Sequence, residues 1–248
     1  ADGGKYLSKS DAITQGRRLI AEGVDIIDVG GESTRPGAER ISEEDELTRV
    51  IPVVNELVKD GAVISVDTMR AEVAKQAIAA GATYINDVSG GLADEKMAQV
   101  IASNPNIQYI VTHWRGHSKN MQEQAIYEDV VKEVKDELDE RVTALLKAGV
   151  STEQIILDPG IGFAKNSEHN WQILQNIERF QLLGYPLLVG VSRKKFLGEL
   201  VNAAEPDNRE AATIALTTEL ARCGVWGVRT HAVKAHKDAI SVVERLRK

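Results

Sequence analysis

Seven short apolar runs, at 24–29, 62–66, 84–85, 107–111, 155–157, 187–191 and 225–228, each end in a cluster of polar or charged residues, and a stretch with helical spacing follows each. A chain that alternates strand and helix in this way is confined to parallel pairing, because each helix must carry it back before the next strand can start. An open doubly wound sheet gathers its ligand-binding residues at one switch point. A closed barrel uses the C-terminal end of every strand. Here the polar clusters follow all the strands, so the pattern predicts an α/β fold of the (β/α)8 TIM-barrel type.

Eight helical stretches are predicted, at 11–22, 43–59, 70–80, 95–102, 129–148, 169–183, 209–222 and 234–247. Eight helices against seven strands leave the alternation one strand short. The opening Ala1-Asp2-Gly3-Gly4 runs almost directly into a helix, so the first strand and part of its loop are expected to lie outside this sequence. A length of 248 residues suits one such barrel. No linker or shift in composition divides the chain, and a single domain over 1–248 is expected. The formal net charge of −7 argues against nucleic acid or an anionic membrane as partner. No apolar stretch approaches the roughly 18 residues of a spanning helix. The single cysteine, Cys223, rules out an internal disulfide and fits a cytoplasmic protein. It is expected as a small buried residue late in a helix.

The strand-end clusters form a chemical inventory. Asp67, Asn86 and Asp158 follow three different strands and supply two carboxylate acceptors and one amide that donates and accepts. That trio suits a flat, nitrogen-rich heterocycle with adjacent N–H donors, such as a 2-amino-4-oxo pyrimidine edge. The alternative is local: Asp67 and Asp87 as helix caps, Asp158 as the start of an Asp-Pro-Gly turn. The local role is favoured for Asp87 and the ligand role for Asp67 and Asn86. Ser192-Arg193-Lys194 and Arg229-Thr230-His231 follow the last two strands, a recurrent phosphate site in barrels. They predict a local anion pocket in an acidic protein, whereas Lys195 is read as an ordinary surface residue. Gly30-Gly31-Glu32-Ser33-Thr34-Arg35-Pro36-Gly37 reads as a mobile loop over the mouth, with Thr34 and Arg35 able to meet an anion. His113 is read as either a base or a hydrogen-bonded core histidine; His117, His169 and His236 are expected on the surface. No His or Cys grouping has zinc spacing.

Together these residues resemble dihydropteroate synthase. The resemblance rests on Asp-Ile-Ile-Asp-Val-Gly-Gly-Glu-Ser-Thr-Arg-Pro-Gly (25–37), Ile-Ser-Val-Asp-Thr (64–68), Ile-Asn-Asp-Val-Ser-Gly-Gly (85–91), Leu-Asp-Pro-Gly-Ile-Gly-Phe-Ala-Lys (157–165), Gly-Val-Ser-Arg-Lys-Lys-Phe (190–196) and Val-Arg-Thr-His (228–231). It covers the whole chain in order. It implies a (β/α)8 barrel, a homodimer and a Mg2+-dependent transferase of folate biosynthesis. The implied reaction joins 6-hydroxymethyl-7,8-dihydropterin pyrophosphate to 4-aminobenzoate, giving 7,8-dihydropteroate and pyrophosphate.

By the same resemblance Asp67, Asn86, Asp158 and Lys194 hold the pterin, with Trp114 stacked against it. Thr34, Arg35, Arg229 and His231 bind the pyrophosphate and, with Lys194, form the catalytic set. Pro36, Phe163, Ser192 and Lys194 line the 4-aminobenzoate site, where sulfonamides also bind in this family. The magnesium ligand is an Asn in the segment expected before Ala1, so no metal ligand can be named in this sequence. Two positions depart from the family pattern. Trp114 stands where many members have Met, and Ala232 replaces an Asp that could orient His231. Two other readings share the pterin contacts. A methyltetrahydrofolate-dependent corrinoid methyltransferase has no need of the cationic clusters at 192–194 and 229–231. A non-catalytic paralogue that binds pterin would differ from an active synthase only in turnover.

Overall fold

The computed structural model describes Tyr6 and residues 8–34 and 37–247. Among these, seven strands alternate with helices: α1 (Lys9–Ala21), β1 (Ile27–Gly30), α2 (Glu43–Lys59), β2 (Ile64–Asp67), α3 (Ala71–Ala79), β3 (Tyr84–Asp87), α4 (Met97–Ala102), β4 (Gln108–Thr112), α5 (Val130–Lys147), β5 (Ile155–Asp158), α6 (Ser167–Gln175), α7 (Ile177–Gln181), β6 (Leu188–Val189), α8 (Lys195–Val201), α9 (Glu210–Cys223), β7 (Gly227–Val228) and α10 (Val233–Leu246). Strands β1 to β5 form one parallel sheet in chain order, and β6 and β7 pair in parallel. A parallel bridge between Leu157 and Leu187, with Leu157 N–H donating to the Pro186 carbonyl at 2.9 Å, joins the two sheets. At the far side, Arg229 after β7 meets Asp28 of β1 at 3.0 Å. Parallel strands in sequential order inside a layer of helices are the (β/α)8 barrel architecture.

Local chemistry sets the element boundaries. Ser42 caps α2 by accepting from Asp45 N–H at 3.0 Å, and four acidic residues occupy its first turn, where the helix dipole favours them. Gly61 ends that helix with φ +83°, which lets Ala62 N–H reach back to the Leu57 carbonyl at 3.0 Å. Two expectations are corrected. The predicted helix at 169–183 is two helices, because Asn176 leaves helical geometry (φ −119°, ψ 27°) and its side chain takes the Gln172 carbonyl at 2.8 Å. Helix α8, which begins directly after the Ser192-Arg193-Lys194 cluster, was not anticipated.

The apolar residues divide into two cores. The larger lies between strands and helices and includes Val50, Val54, Leu57, Ile64, Val66, Ile85, Val111, Leu138, Leu157 and Phe180, all buried. The smaller is Ile110, Ile156 and Leu188, with Tyr84 packed against it. Side chains alternate faces along a strand, so the larger core takes one set of strand positions and the smaller core the other, inside the barrel. Two residues further along the same strands, that inner face carries Asn86, Thr112 and Asp158 in place of the apolar residues. The barrel is thus apolar below and polar at its C-terminal mouth, which is where its chemistry has to be.

Candidate active site

Strand register builds the polar layer. Asp67 is the register partner of Asn86 across β2 and β3, and Thr112 is the partner of Asp158 across β4 and β5. Asn86 is fully buried; its Nδ2 donates to Asp28 Oδ2 at 3.3 Å, while its Oδ1 is buried without a hydrogen-bond partner. Arg229 lies across the layer, with Nε 3.0 Å from Asp28 Oδ2 and Nη1 3.6 Å from Asp158 Oδ2. Its Nη2 is also buried and unpartnered. Burial works against the guanidinium charge, but Asp28, Asp158 and Asp67 outweigh it and hold the Arg229 pKa above its ordinary value. Burial, joined by the neighbouring Asp28 charge, pushes the Asp67 carboxyl well above the usual carboxylate range, against the pull of Arg229. Asp67 caps no helix: the cap position of α3 is Arg70, whose N–H is taken by Thr68 Oγ1 at 3.1 Å.

Asp158 and Asp87 show how one residue type divides between site and scaffold. Asp158 uses Oδ1 to accept from Gly160 N–H at 2.8 Å and turns Oδ2 toward Arg229, so it serves the turn and the mouth together. Asp87 is spent on local structure, accepting from Ser89 N–H (2.8 Å), Ser89 Oγ (2.6 Å), Gly91 N–H (2.9 Å) and Tyr109 OH (2.8 Å). Asp87 is therefore local as expected but caps no helix: it holds the turn at 89–91, and α4 begins only at Met97.

Loops form the other edge of the mouth. Lys194 donates to the Ile161 carbonyl and lies 4.9 Å from the centroid of the Phe163 ring. Burial lowers its pKa to about 8, with Arg229 acting in the same direction and Asp158 opposing. Ser192 Oγ is 2.7 Å from His231 Nδ1 and accepts from the His231 N–H at 3.3 Å. Phe163 with Lys194 and Ser192 with His231 are thus brought together in pairs. Arg193 is directed elsewhere. Its backbone is left-handed (φ 58°), its Nε donates to Glu210 at 2.6 Å, and Asp207 pairs with it as well. Of the cations the sequence gathered after the last two strands, it is the one that pairs with Glu210 of α9. Lys195 is exposed, as expected.

Arg35 and Pro36 lie outside the described residues. Thr34 lines a small cleft with Glu32, Glu46, Asp67, Thr68, Met69 and Arg70, which sets it beside the Asp67 end of the layer. The described residues on either side of 35–36 are bonded to the body of the protein. Glu32 accepts from Arg70 Nη1 (2.8 Å) and Arg40 Nε (3.1 Å), and Gly37 N–H reaches the Ser118 carbonyl at 2.8 Å. Trp114 is not part of the Asp67–Asn86–Asp158 layer in this geometry. It lines a cleft against α5 with Ser89, Thr112, His113, Glu137 and Arg141, which adjoins the layer through Thr112, and it stands edge-on to His117 at 5.1 Å.

His113 is a scaffold histidine: buried, with Nδ1 2.8 Å from Lys165 Nζ and Nε2 2.9 Å from Glu137 Oε2. Burial and Lys165 lower its pKa to about 4 against the pull of Glu137, so it is neutral and fully engaged. His236, expected on the surface, is buried between Thr217 Oγ1 and Glu210 Oε1, each at 2.8 Å. Cys223 is the last residue of α9 and only half-buried. Two contributors were missed by sequence reasoning. Asp28 joins Asn86 to Arg229, and its signal was a carboxylate inside an otherwise apolar run. Lys165 supports the Phe163 loop; it closes the motif at 157–165, but no role was assigned to it there.

The sequence matches the family described as pterin binding enzyme over residues 1–231. Dihydropteroate synthase of Mycobacterium leprae (strain TN) is 45% identical over 98% of this chain and 87% of its own length. Dihydropteroate synthase of Xanthomonas albilineans, solved with 4-aminobenzoic acid, has a TM-score of 0.92 at 38% identity and covers 100% of this chain and 88% of its own. That of Yersinia pestis, solved with a sulfonamide drug, has a TM-score of 0.93 at 35% identity, covering 100% of this chain and 89% of its own.

Proposed function

The chain belongs to the pterin-binding enzymes as a dihydropteroate synthase, a transferase of folate biosynthesis, and from that premise we propose how its residues share the reaction. Asp67, Asn86 and Asp158 hold the pterin edge. The carboxylates accept from its N–H donors, and Asn86 Oδ1 takes a further donor. Arg229, His231 and Thr34, with Arg35, hold the pyrophosphate, and Lys194 stands between the two substrates. Phe163, Ser192 and Pro36 form the 4-aminobenzoate side, which is also where a sulfonamide would compete. The single observation that carries this reading is the pairing of unsatisfied buried groups at the mouth: the Asn86 Oδ1 acceptor and the Arg229 Nη2 donor, in one layer with Asp67 and Asp158. A heterocycle carrying an anionic group supplies partners to both.

The chemistry then asks for position and charge more than for a strong base. The bond from the pterin methylene to the pyrophosphate oxygen breaks with its electron pair leaving on the pyrophosphate, and the ring stabilises the methylene cation. Fixed cations at the leaving oxygens lower that barrier because they need no reorganisation as charge develops. The aminobenzoate nitrogen closes on the methylene carbon, and its surplus proton leaves with the pyrophosphate. Closure of the 30–37 loop over the mouth is proposed to keep water from trapping the cation. The resemblance also implies Mg2+, which supplies charge neutralisation to the leaving group. Among the described residues no three His, Cys, Asp or Glu side chains are grouped to hold an ion. These residues do not make a metal site by themselves, so no step here runs through one, and we assign the ion to the incoming pyrophosphate as its counter-ion.

The protein is proposed to work in the cytoplasm as a homodimer. No helix among the described residues is long and apolar enough to cross a membrane. The exposed Leu200 and Val201 on α8 and Val242 and Leu246 on α10 are apolar surface of the kind that subunits cover. Pyrophosphate release in the presence of Mg2+, measured with and without 4-aminobenzoate, tests the function. Release that depends on both substrates is expected. Binding of pterin pyrophosphate with no release would make the chain a non-catalytic pterin-binding paralogue.

A further inference from the structure

The loop between β5 and α6 is an improbable piece of backbone. Gly160, Gly162 and Ala164 have φ of 68°, 83° and 47°, so three of five consecutive residues are left-handed, one of them with a side chain. Such a path persists only where its surroundings over-determine it. At Gly160 a Cβ would fall 2.5 Å from the His113 carbonyl oxygen, so the loop presses directly on the end of β4. A side chain accounts for every carbonyl of the stretch. Those of Gly160 and Phe163 accept from Lys165 Nζ at 3.1 and 3.0 Å. That of Ile161 accepts from Lys194, that of Gly162 from Gln122 Nε2 at 3.3 Å, and that of Ala164 from Tyr127 OH at 3.0 Å.

Lys165 is the centre of this arrangement. It is only 3% exposed, an unusual place for a lysine. An ammonium has three N–H bonds, and here each has one acceptor: two loop carbonyls and His113 Nδ1 at 2.8 Å. The third bond fixes the His113 tautomer, with the proton on Nε2 donating to Glu137. Arg115 Nε holds both Glu137 oxygens at 3.1 Å, and its Nη2 meets Glu133 at 2.9 Å. A continuous polar chain thus runs from α5 through the end of β4 into the loop that carries Phe163.

We propose that Lys165 is a positioning residue for the aminobenzoate half of the reaction: through its bonds to the Gly160 and Phe163 carbonyls it fixes the loop that presents Phe163 and the Ile161 carbonyl to Lys194. The proposal rests on the synthase reading of the site. Lys165 makes no bond to Asp67, Asn86 or Arg229, and of the pterin contacts it adjoins only Asp158, whose Oδ1 takes the Gly160 N–H, so its larger effect falls on the aminobenzoate side. The groups that face it are His113 and Arg115 after β4, Glu137 and Glu133 on α5, Asp158 on β5, Lys194 before α8, and His169 on α6. Burial dominates among them and brings the Lys165 pKa down to about 7, with Asp158 and Glu137 opposing. Below that pH all three donors are present. Above it one is lost, and one of the three acceptors goes without a partner.

The test is steady-state kinetics of Lys165→Met and Glu137→Gln beside the unaltered protein, with pterin pyrophosphate binding measured separately. For Lys165→Met the KM for 4-aminobenzoate is expected to rise at least tenfold, with pterin pyrophosphate Kd within twofold. Glu137→Gln keeps the lysine and loosens its histidine together with Arg115, so a smaller rise in the same KM is expected, with kcat within twofold. In the unaltered protein that KM is expected to climb as pH passes 7, and in Lys165→Met to be high and flat over the same range. An unchanged aminobenzoate KM in Lys165→Met, or equal losses on both substrates, overturns the proposal. If Lys165→Met does not fold, Glu137→Gln and the pH dependence of the unaltered protein decide. Absence of aminobenzoate-dependent release from the unaltered protein would instead overturn the synthase reading, which keeps the two failures apart.

Discussion

Asp67, Asn86 and Asp158 project from neighbouring strands whose register fixes their spacing, whereas Phe163, Lys194 and the Ser192–His231 pair project from loops. The first group inherits its geometry from the sheet. A parallel strand buried on both faces cannot slide by one residue without exchanging its two faces. The second group has no such scaffold and is held by side-chain bonds, among them those of Lys165. One mouth is therefore built in two ways, with a rigid half and a half that depends on a few buried polar contacts.

Substitutions can break that comparison or sharpen it. The largest effect is expected for Arg229→Met, which leaves Asp28, Asp67 and Asp158 without their common counter-charge: kcat/KM for pterin pyrophosphate should fall about a thousandfold, roughly 4 kcal/mol of transition-state stabilisation. Equal damage from a loop residue such as Phe163 would erase the distinction. Next is Asn86→Leu, which removes the acceptor and donor of the strand layer. About a hundredfold loss in pterin affinity is expected, because a buried polar contact to a substrate is costly to leave unmade, with the aminobenzoate KM unchanged. Calorimetry on both substrates would show whether the loss stays on one side.

Lys194 offers a test by pH. Its charge is present below about 8 and lost above it, so pterin pyrophosphate affinity should hold from pH 6 to 7 and then decline, about tenfold by pH 9 if the ammonium contributes its full charge. A flat profile would remove Lys194 from the anion side. Phe163→Ala should raise the aminobenzoate KM about tenfold, the scale of one buried ring contact, and leave pterin binding alone. The smallest effect is expected at Trp114. It lines the α5 cleft, and phenylalanine keeps an aromatic face there, so Trp114→Phe should alter pterin affinity less than about twofold. A larger loss would return Trp114 to the pterin wall.

The same division explains what could be read from the chain before its structure. All seven strands and the strand-end residues were legible, because a short apolar run that ends in a polar cluster is a local signal. Asp28 was overlooked although it interrupts such a run. Helix α8 was hidden: it is short, and Phe196, Leu197 and Gly198 are buried beside the cations that drew attention. His236 carried a signal that was misjudged, since it stands three residues after Val233 on the buried face of α10. Lys165 closed the motif at 157–165, but no role was assigned to it. Its role depends on contacts with His113, 52 positions away, and no spacing rule reaches that far.

The unpartnered Asn86 Oδ1 and Arg229 Nη2 bear on folding as much as on catalysis. Each has given up water without gaining a replacement, so the fold already carries their desolvation. A molecule that bonds to both relieves a cost the native state bears continuously and the unfolded chain does not. Substrate then acts as a stabilising component of the domain, and occupancy should be visible as a rise in melting temperature. Ligands for this mouth can be sought by heating the protein in their presence, with no reaction to follow.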